Sequence, residues 1–386
     1  MILRNAMVAF LVLAGSVGAT AQSSVVATAP APVRISSSAG PLLLETVATG
    51  LENPWSLAFL PDGRMLVTER PGRLRLVAAD GKLSQPLGGL PRVAARGQGG
   101  LLDIALDPDF STNRAVYLSF AEPRENNGAG TAVARATLNA AETAIVGTTV
   151  IFQQQPAGTT TRHFGSRLVF GRDGNLFVTT GDRGNMETSA QDRATLIGKV
   201  IRIKSDGSVP ADNPFVGQPG MRPEIWSIGH RNAQGAALHP ETGALWTMEH
   251  GARGGDEVNL VRKGLNYGWP VISYGVEYSG RKIGEGQTRR DMEQPVHYWD
   301  PSISPSGAMF YTGTRLRGWA GSLFAGALSG ERLVRLTLSG EKVVGEEQLL
   351  TGLNERIRDV RQGPDGLIYL LTDSDNGRIL RLRPAA

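Results

Sequence analysis

Along this chain the apolar residues fall into short alternating runs closed by turn residues, without the three-to-four spacing of an amphipathic helix. The clearest runs are Met65-Leu66-Val67-Thr68, which follows Pro61-Asp62-Gly63, and Leu367-Ile368-Tyr369-Leu370-Leu371-Thr372, which follows Pro364-Asp365-Gly366. Alternation between Gly-rich turns predicts half-buried β-strands. Related copies lie between these two: Asp107-Pro108-Asp109 before residues 115–120, Arg172-Asp173-Gly174 before 176–180, His239-Pro240-Glu241-Thr242-Gly243 before 245–248, and Trp319-Ala320-Gly321 before 322–326. Successive copies start roughly 45 to 80 residues apart, a period that suits four-stranded units with variable loops. One such sheet cannot bury both of its faces, whereas radial stacking buries them and leaves a central channel. The fold expected is all-β, a six-bladed β-propeller with four-stranded antiparallel blades, spanning residues 43–386.

Composition supports this and narrows the function. Glycine makes up 49 of 386 residues, consistent with many tight turns, and the hydrophobic fraction is an ordinary 41%. A formal charge of +4 spread over scattered basic residues gives little support to a nucleic-acid or membrane-surface role. There are no cysteines, which excludes disulfides, thiol chemistry and thiolate metal sites. At the N-terminus Arg4 precedes an apolar run over residues 7–17, and Ala19-Thr20-Ala21 supplies a small-x-small cleavage pattern. Residues 1–21 therefore read as a signal peptide, residues 22–42 as a flexible Ala/Pro/Ser tether, and the mature protein as periplasmic or secreted. No later run reaches the length of a membrane span, so stable membrane insertion is not expected.

Several residues are left unexplained by the blade pattern. Gly97-Gln98-Gly99-Gly100 would let backbone approach a ligand while Gln98 offers both an amide donor and an acceptor. His163, in Arg162-His163-Phe164-Gly165-Ser166, lies on a polar turn just before an apolar strand. A neutral imidazole there would be a competent proton acceptor, although a lone histidine is more often structural. Arg231 and Asn232, in Gly229-His230-Arg231-Asn232, suit a planar carboxylated ligand gripped by forked hydrogen bonds, an ordinary surface arginine being the alternative. Asp256 and Glu257 beside Gly254-Gly255 suit an oxygen-ligated cation such as calcium, without the spacing of an EF-hand. Asp373-Ser374-Asp375-Asn376-Gly377 reads as a turn. Alternation puts Arg356 and Arg358 on one strand face, a costly like-charge pairing unless an anion lies between them, which suggests bound carboxylates.

Taken in order, Asn53-Pro54-Trp55, Gly97-Gln98-Gly99-Gly100-Leu101, His163-Phe164-Gly165, Gly229-His230-Arg231-Asn232, Gly255-Asp256-Glu257-Val258-Asn259, Asn266-Tyr267-Gly268-Trp269-Pro270 and Arg356-Ile357-Arg358-Asp359-Val360 resemble the soluble pyrroloquinoline quinone (PQQ) dependent glucose/sorbosone dehydrogenase family. The resemblance implies a six-bladed propeller that oxidises aldose sugars at C1 to the lactone and passes the electrons to an external acceptor. It makes His163 the general base and gives PQQ to Gln98, Arg231, Asn232, Arg356 and Arg358. It places one Ca2+ on the carbonyls of Gly251 and Ala252, as a Lewis acid, and a second, structural Ca2+ on Glu257 and Tyr267. A monomer is the expected state.

Departures from the family pattern point to its broader aldose branch. Arg162 stands where glucose-specific members carry an acidic residue, Ala252 where a proline is usual, and Ser329 where a lysine meets the cofactor, so that Ser329 takes that place among the candidate PQQ contacts. Two other readings stay open. A calcium-dependent propeller lactonase would line the channel with carboxylates, and a non-catalytic propeller would have lost the base or the cofactor grip.

Overall fold

The computed structural model describes residues 30–385, in which six antiparallel sheets stand around one axis. Each blade begins with an inner strand: Pro54–Phe59, Leu101–Leu106, Gly165–Phe170, Ala233–Leu238, Pro305–Phe310 and Ile357–Gln362. Each inner strand packs against the next and the last packs against the first, closing the ring. The six turn repeats of the sequence each introduce the second strand of a blade, as at Met65–Glu69, Leu176–Thr180 and Ile368–Thr372. These three strands are buried along their whole length because neighbouring blades cover both faces. Leu66 and Leu74 of the first blade, for example, share a core cluster with Leu118 and Ala134 of the second. Truncating one such leucine to alanine would cost about 2–5 kcal/mol.

Strand number departs from four in two blades. The first has three strands, extended by an isolated bridge between Val77 and Leu83, and the last has five. The five-stranded sheet closes the ring with both ends of the chain, since Leu42–Leu51 pairs with Gly377–Pro384. Val33–Ile35 adds the outermost strand by pairing with Leu42–Leu44, and Ser38 is held by Glu347. The tether expected over residues 22–42 is thus corrected from Val33 onward, where main-chain pairing overrides an Ala/Pro/Ser-rich composition. The signal peptide expected at 1–21 lies outside the described residues.

Every inner strand slips register with its neighbour near its start: between Pro54 and Ser56, Leu101 and Ile104, Gly165 and Leu168, Ala233 and Gly235, Pro305 and Ala308, and Ile357 and Asp359. A bulge leaves a residue unpaired and re-aims its side chain. Midway along the inner strands this gives a buried polar plug. Arg167 Nη1 lies 3.1 Å from Asp103 and 3.2 Å from Asp359, its Nε donates to Gln234 O at 2.9 Å, and Arg361 bridges the same two carboxylates. One pocket opens at the starts of the inner strands and another at their ends.

Candidate active site

The pocket at the inner-strand starts has a volume of about 590 Å³ and a polar lining. Its composition follows from antiparallel pairing, which sets the start of each inner strand beside the end of the second strand. Gly165 pairs with Thr180, Ala233 with Glu249 and Ile357 with Thr372. His163 is thereby brought beside Asp182, Arg231 beside His250 and Gly251, and Arg358 beside Asp373.

His163 lines this pocket while remaining only 8% exposed, and its backbone takes the left-handed conformation with φ 55°. That conformation is unfavourable for a side chain of this size and is held by its surroundings. The His163 N–H donates to Gln98 Oε1 at 2.8 Å, so Gln98 both lines the pocket and fixes the histidine turn. The imidazole Nδ1 lies 2.6 Å from Asp182 Oδ1. Burial is the largest influence on His163 and pulls its pKa below the usual histidine value; the Asp182 hydrogen bond opposes this, and the charges of Arg231 and Arg162 reinforce it. Burial pushes the Asp182 carboxyl up, but His163 and Arg231 hold it below the usual carboxylate range. An ionised carboxylate only accepts, so Nδ1 carries the proton and Nε2 is left bare, which is the form of a base. Asp182 was missed in the sequence. Its one signal was its position just beyond the second strand of the blade that carries His163.

Arg231, Arg356 and Arg358 all line the pocket. The anion between Arg356 and Arg358 is the protein's own: Asp373 Oδ2 lies 3.1 Å from Arg356 Nη2 and 2.8 Å from Arg358 Nη2. This corrects the inference that the pair by itself requires a bound carboxylate. It also corrects the reading of residues 373–377 as a turn only, because Asp373 and Asp375 belong to the pocket wall. Arg358 also donates to Gln234 Oε1 at 2.8 Å. Asn232 does not reach the wall; it is fully buried and its Oδ1 accepts from Gly165 N at 3.0 Å, supporting the histidine turn from behind. Ser329 is not a wall residue either; it is exposed, its hydroxyl 2.9 Å from that of Ser304, which is one.

Three buried donors around this wall, Arg231 Nε, Arg358 Nε and Asn232 Nδ2, have no partner. Unpaired buried donors are costly, and a ligand rich in carboxylate and carbonyl oxygens would satisfy the two guanidinium groups in the wall. PQQ fits that donor set.

For a metal the picture differs between the two expected sites. Glu257 is half-buried near Glu249 and Asp256, and desolvation followed by those two charges pushes its pKa up to about 8. Asn259 Oδ1 is a buried acceptor without a partner, and Glu257 and Tyr267 line one small cavity with Glu249. An excess of buried oxygen acceptors suits a hard cation. The Tyr267 hydroxyl, however, donates to Leu260 O at 2.6 Å and accepts from Arg262 N at 2.7 Å, so the oxygen it would offer is its main-chain carbonyl. Ala252 lines the main pocket together with Gly251, but Gly251 O accepts from Arg231 Nη1, and a cation there would share that oxygen with a guanidinium. Among the described residues no three His, Cys, Asp or Glu side chains converge, so any metal must draw on carbonyl oxygens.

Comparison with known proteins gives a consistent answer. Residues 51–381 match the model of the family described as Glucose / Sorbosone dehydrogenase. The chain is 44% identical over 365 residues to an aldose sugar dehydrogenase of Escherichia coli (strain K12), covering 94% of this chain and 96% of the relative. A crystal structure of a glucose dehydrogenase, 51% identical, superposes with a TM-score of 0.87 over 89% of this chain and 99% of its own. The PQQ-bound form of an aldose sugar dehydrogenase from Streptomyces coelicolor, 32% identical, superposes with a TM-score of 0.73 over 89% and 98%.

Proposed function

The chain belongs to the glucose/sorbosone dehydrogenase family, and we propose that it oxidises aldose sugars at C1 to the lactone with PQQ as the immediate electron acceptor. The observation that carries this reading is a buried His163–Asp182 pair facing an arginine-rich pocket.

Oxidation at C1 removes a proton from the anomeric hydroxyl and a hydride from the carbon. His163 Nε2 takes the proton, and Asp182 stabilises the imidazolium that forms. Bound PQQ supplies the quinone that accepts the hydride. Arg231 and Arg358 would hold the cofactor through its carboxylates, Arg356 would close the outer side, and Gln98 keeps the base in place. Asn232 acts through the Gly165 turn, and Ser329 through Ser304. The Gly251 and Ala252 carbonyls would hold a Ca2+ ion only with the Gly251 oxygen shared with Arg231 Nη1, and that ion would supply Lewis-acid activation of the cofactor. Glu257 and the Tyr267 carbonyl would hold a second, structural Ca2+.

Export to the periplasm or medium, action as a monomer and electron delivery to an external acceptor belong to the same proposal. Among the described residues no helix is long and apolar enough to cross a membrane. The lactonase reading is weakened because Asp373, a carboxylate of the wall, is already shared by two arginines.

The test is reconstitution of the purified protein with PQQ and CaCl2, followed by dye reduction with a panel of aldoses. Sugar-dependent dye reduction that needs PQQ is expected, and its absence with every aldose would contradict the proposal. His163→Ala should lower turnover by about 10²–10⁴-fold. Undiminished turnover in that variant would remove His163 as the base.

A further inference from the structure

Between the strands Asp256–Val261 and His297–Trp299 the chain leaves the blade for a long excursion, and Trp269 lies near its start. Its ring is buried beside Ala190, Ala252 and Ile283. The indole Nε1–H donates to Asp182 Oδ2 at 2.9 Å, while Asp182 Oδ1 faces His163 Nδ1 at 2.6 Å and accepts from Gly184 N at 2.7 Å. The guanidinium of Arg231 lies over the same indole, 5.1 Å from the ring centroid. Trp269 is itself anchored, its N–H donating to Gly229 O at 2.9 Å and its carbonyl accepting from Gln191 Nε2 at 2.7 Å.

We propose that Trp269 is a positioning residue: its indole N–H fixes the Asp182 carboxylate so that His163 presents a bare Nε2 to the pocket, and its ring face holds Arg231 beside that base. This rests on His163 being the base, as proposed above.

The physical argument is one of degrees of freedom. The terminal torsion of an aspartate is broad, so a carboxylate held through one oxygen can swing and offer its partner a poor angle. Asp182 is held through both oxygens, by donors from two directions, and only His163 remains for it to orient. Losing the indole N–H would leave Oδ2, a buried charged oxygen, without that donor and concentrate charge on the carboxylate. The groups that face His163 then decide its response. Asp182 favours the imidazolium, whereas Arg231 and Arg162 oppose it. His250 is also electrostatically linked to His163, and Arg183 adjoins Asp182 in sequence. Replacing Trp269 by phenylalanine keeps the ring beneath Arg231 and removes only the donor, so the balance shifts toward Asp182.

The experiment is an NMR titration of the full chain without sugar, feasible because only five histidines contribute. In the wild type, the Trp269 indole N–H resonance is expected to be protected from exchange and to move with the same midpoint as the His163 ring. In Trp269→Phe, the His163 midpoint should rise by about half a unit or more. A Trp269 indole resonance that stays flat through the His163 transition would overturn the proposal, as would an unchanged His163 midpoint in the variant. If Trp269→Phe fails to fold, the wild-type indole measurement decides alone. Failure of the base assignment itself would show separately, as retained turnover in His163→Ala with the Trp269 coupling intact.

Discussion

The two mouths of the propeller are built from the same six inner strands yet differ in chemistry. At the strand starts the pocket is lined by His163, Gln98, Arg231, Arg358 and Asp373. At the strand ends a pocket of about 520 Å³ is lined largely by apolar residues such as Leu57, Phe59, Ala105, Val169 and Ala237. Between them lies the Arg167, Asp103 and Asp359 plug. The difference is one of position along the strand. Each starting end follows a bulge-prone turn and adjoins the exit of the second strand, so two loops per blade converge there. The other end adjoins the short Asp-Gly turns that build the repeat, which leave little room for additional groups. The scaffold can therefore repeat while the chemistry is confined to one face.

The largest effect expected on this comparison comes from the plug. Arg167→Met removes a fully buried guanidinium and leaves Asp103 and Asp359 with Arg361 as their remaining cation, which should lower unfolding free energy by about 3–5 kcal/mol in a denaturant titration. A change under about 1 kcal/mol would show that the two mouths are not held apart by this network. Next in size, Arg358→Ala should weaken PQQ binding by roughly 10- to 100-fold, read by titration of cofactor absorbance or fluorescence, because it removes a buried charged donor. The effect of calcium should be comparable in size. Saturating Ca2+ should raise the melting temperature of the wild type, by an amount equivalent to about 2–3 kcal/mol at a hundredfold excess over Kd, and Glu257→Gln should abolish most of that rise. The pH dependence is smaller. Because burial depresses the proton affinity of His163, turnover should fall on the acid side with a midpoint below the usual histidine value of about 6.5. The sign for stability is the same: a histidine held neutral in the fold costs stability as pH falls through its unfolded value toward its folded one. The smallest effect should come from the apolar mouth, where Ala237→Ser is expected to change PQQ affinity less than about twofold.

The ring of six was legible in the sequence because the Pro-Asp-Gly type turn recurs before the second strand of every blade, and both turn and strand are local. The entry loops were legible too: Gln98, His163, Arg231, Arg356 and Arg358 are wall residues, and each sits at or near the start of an inner strand. What could not be read were pairings set by the ring itself. Asp182 and Asp373 meet their partners through strand register, and Trp269 reaches Asp182 across 87 positions of sequence. Ser329 and Asn232 were expected at the wall from motif order, but Asn232 is buried behind it under the Gly165 turn and Ser329 is exposed beside the wall residue Ser304. Position along a chain does not resolve a side chain that faces a ligand from one that supports its neighbour.

Determining the crystal structure of the protein grown with PQQ and calcium would test most directly where the chemistry resides. The cofactor should lie in the mouth at the inner-strand starts, in contact with Arg231 and Arg358, with His163 Nε2 facing the open side above it. A cofactor seated at the apolar mouth, or one at the polar mouth with His163 turned away, would contradict this account.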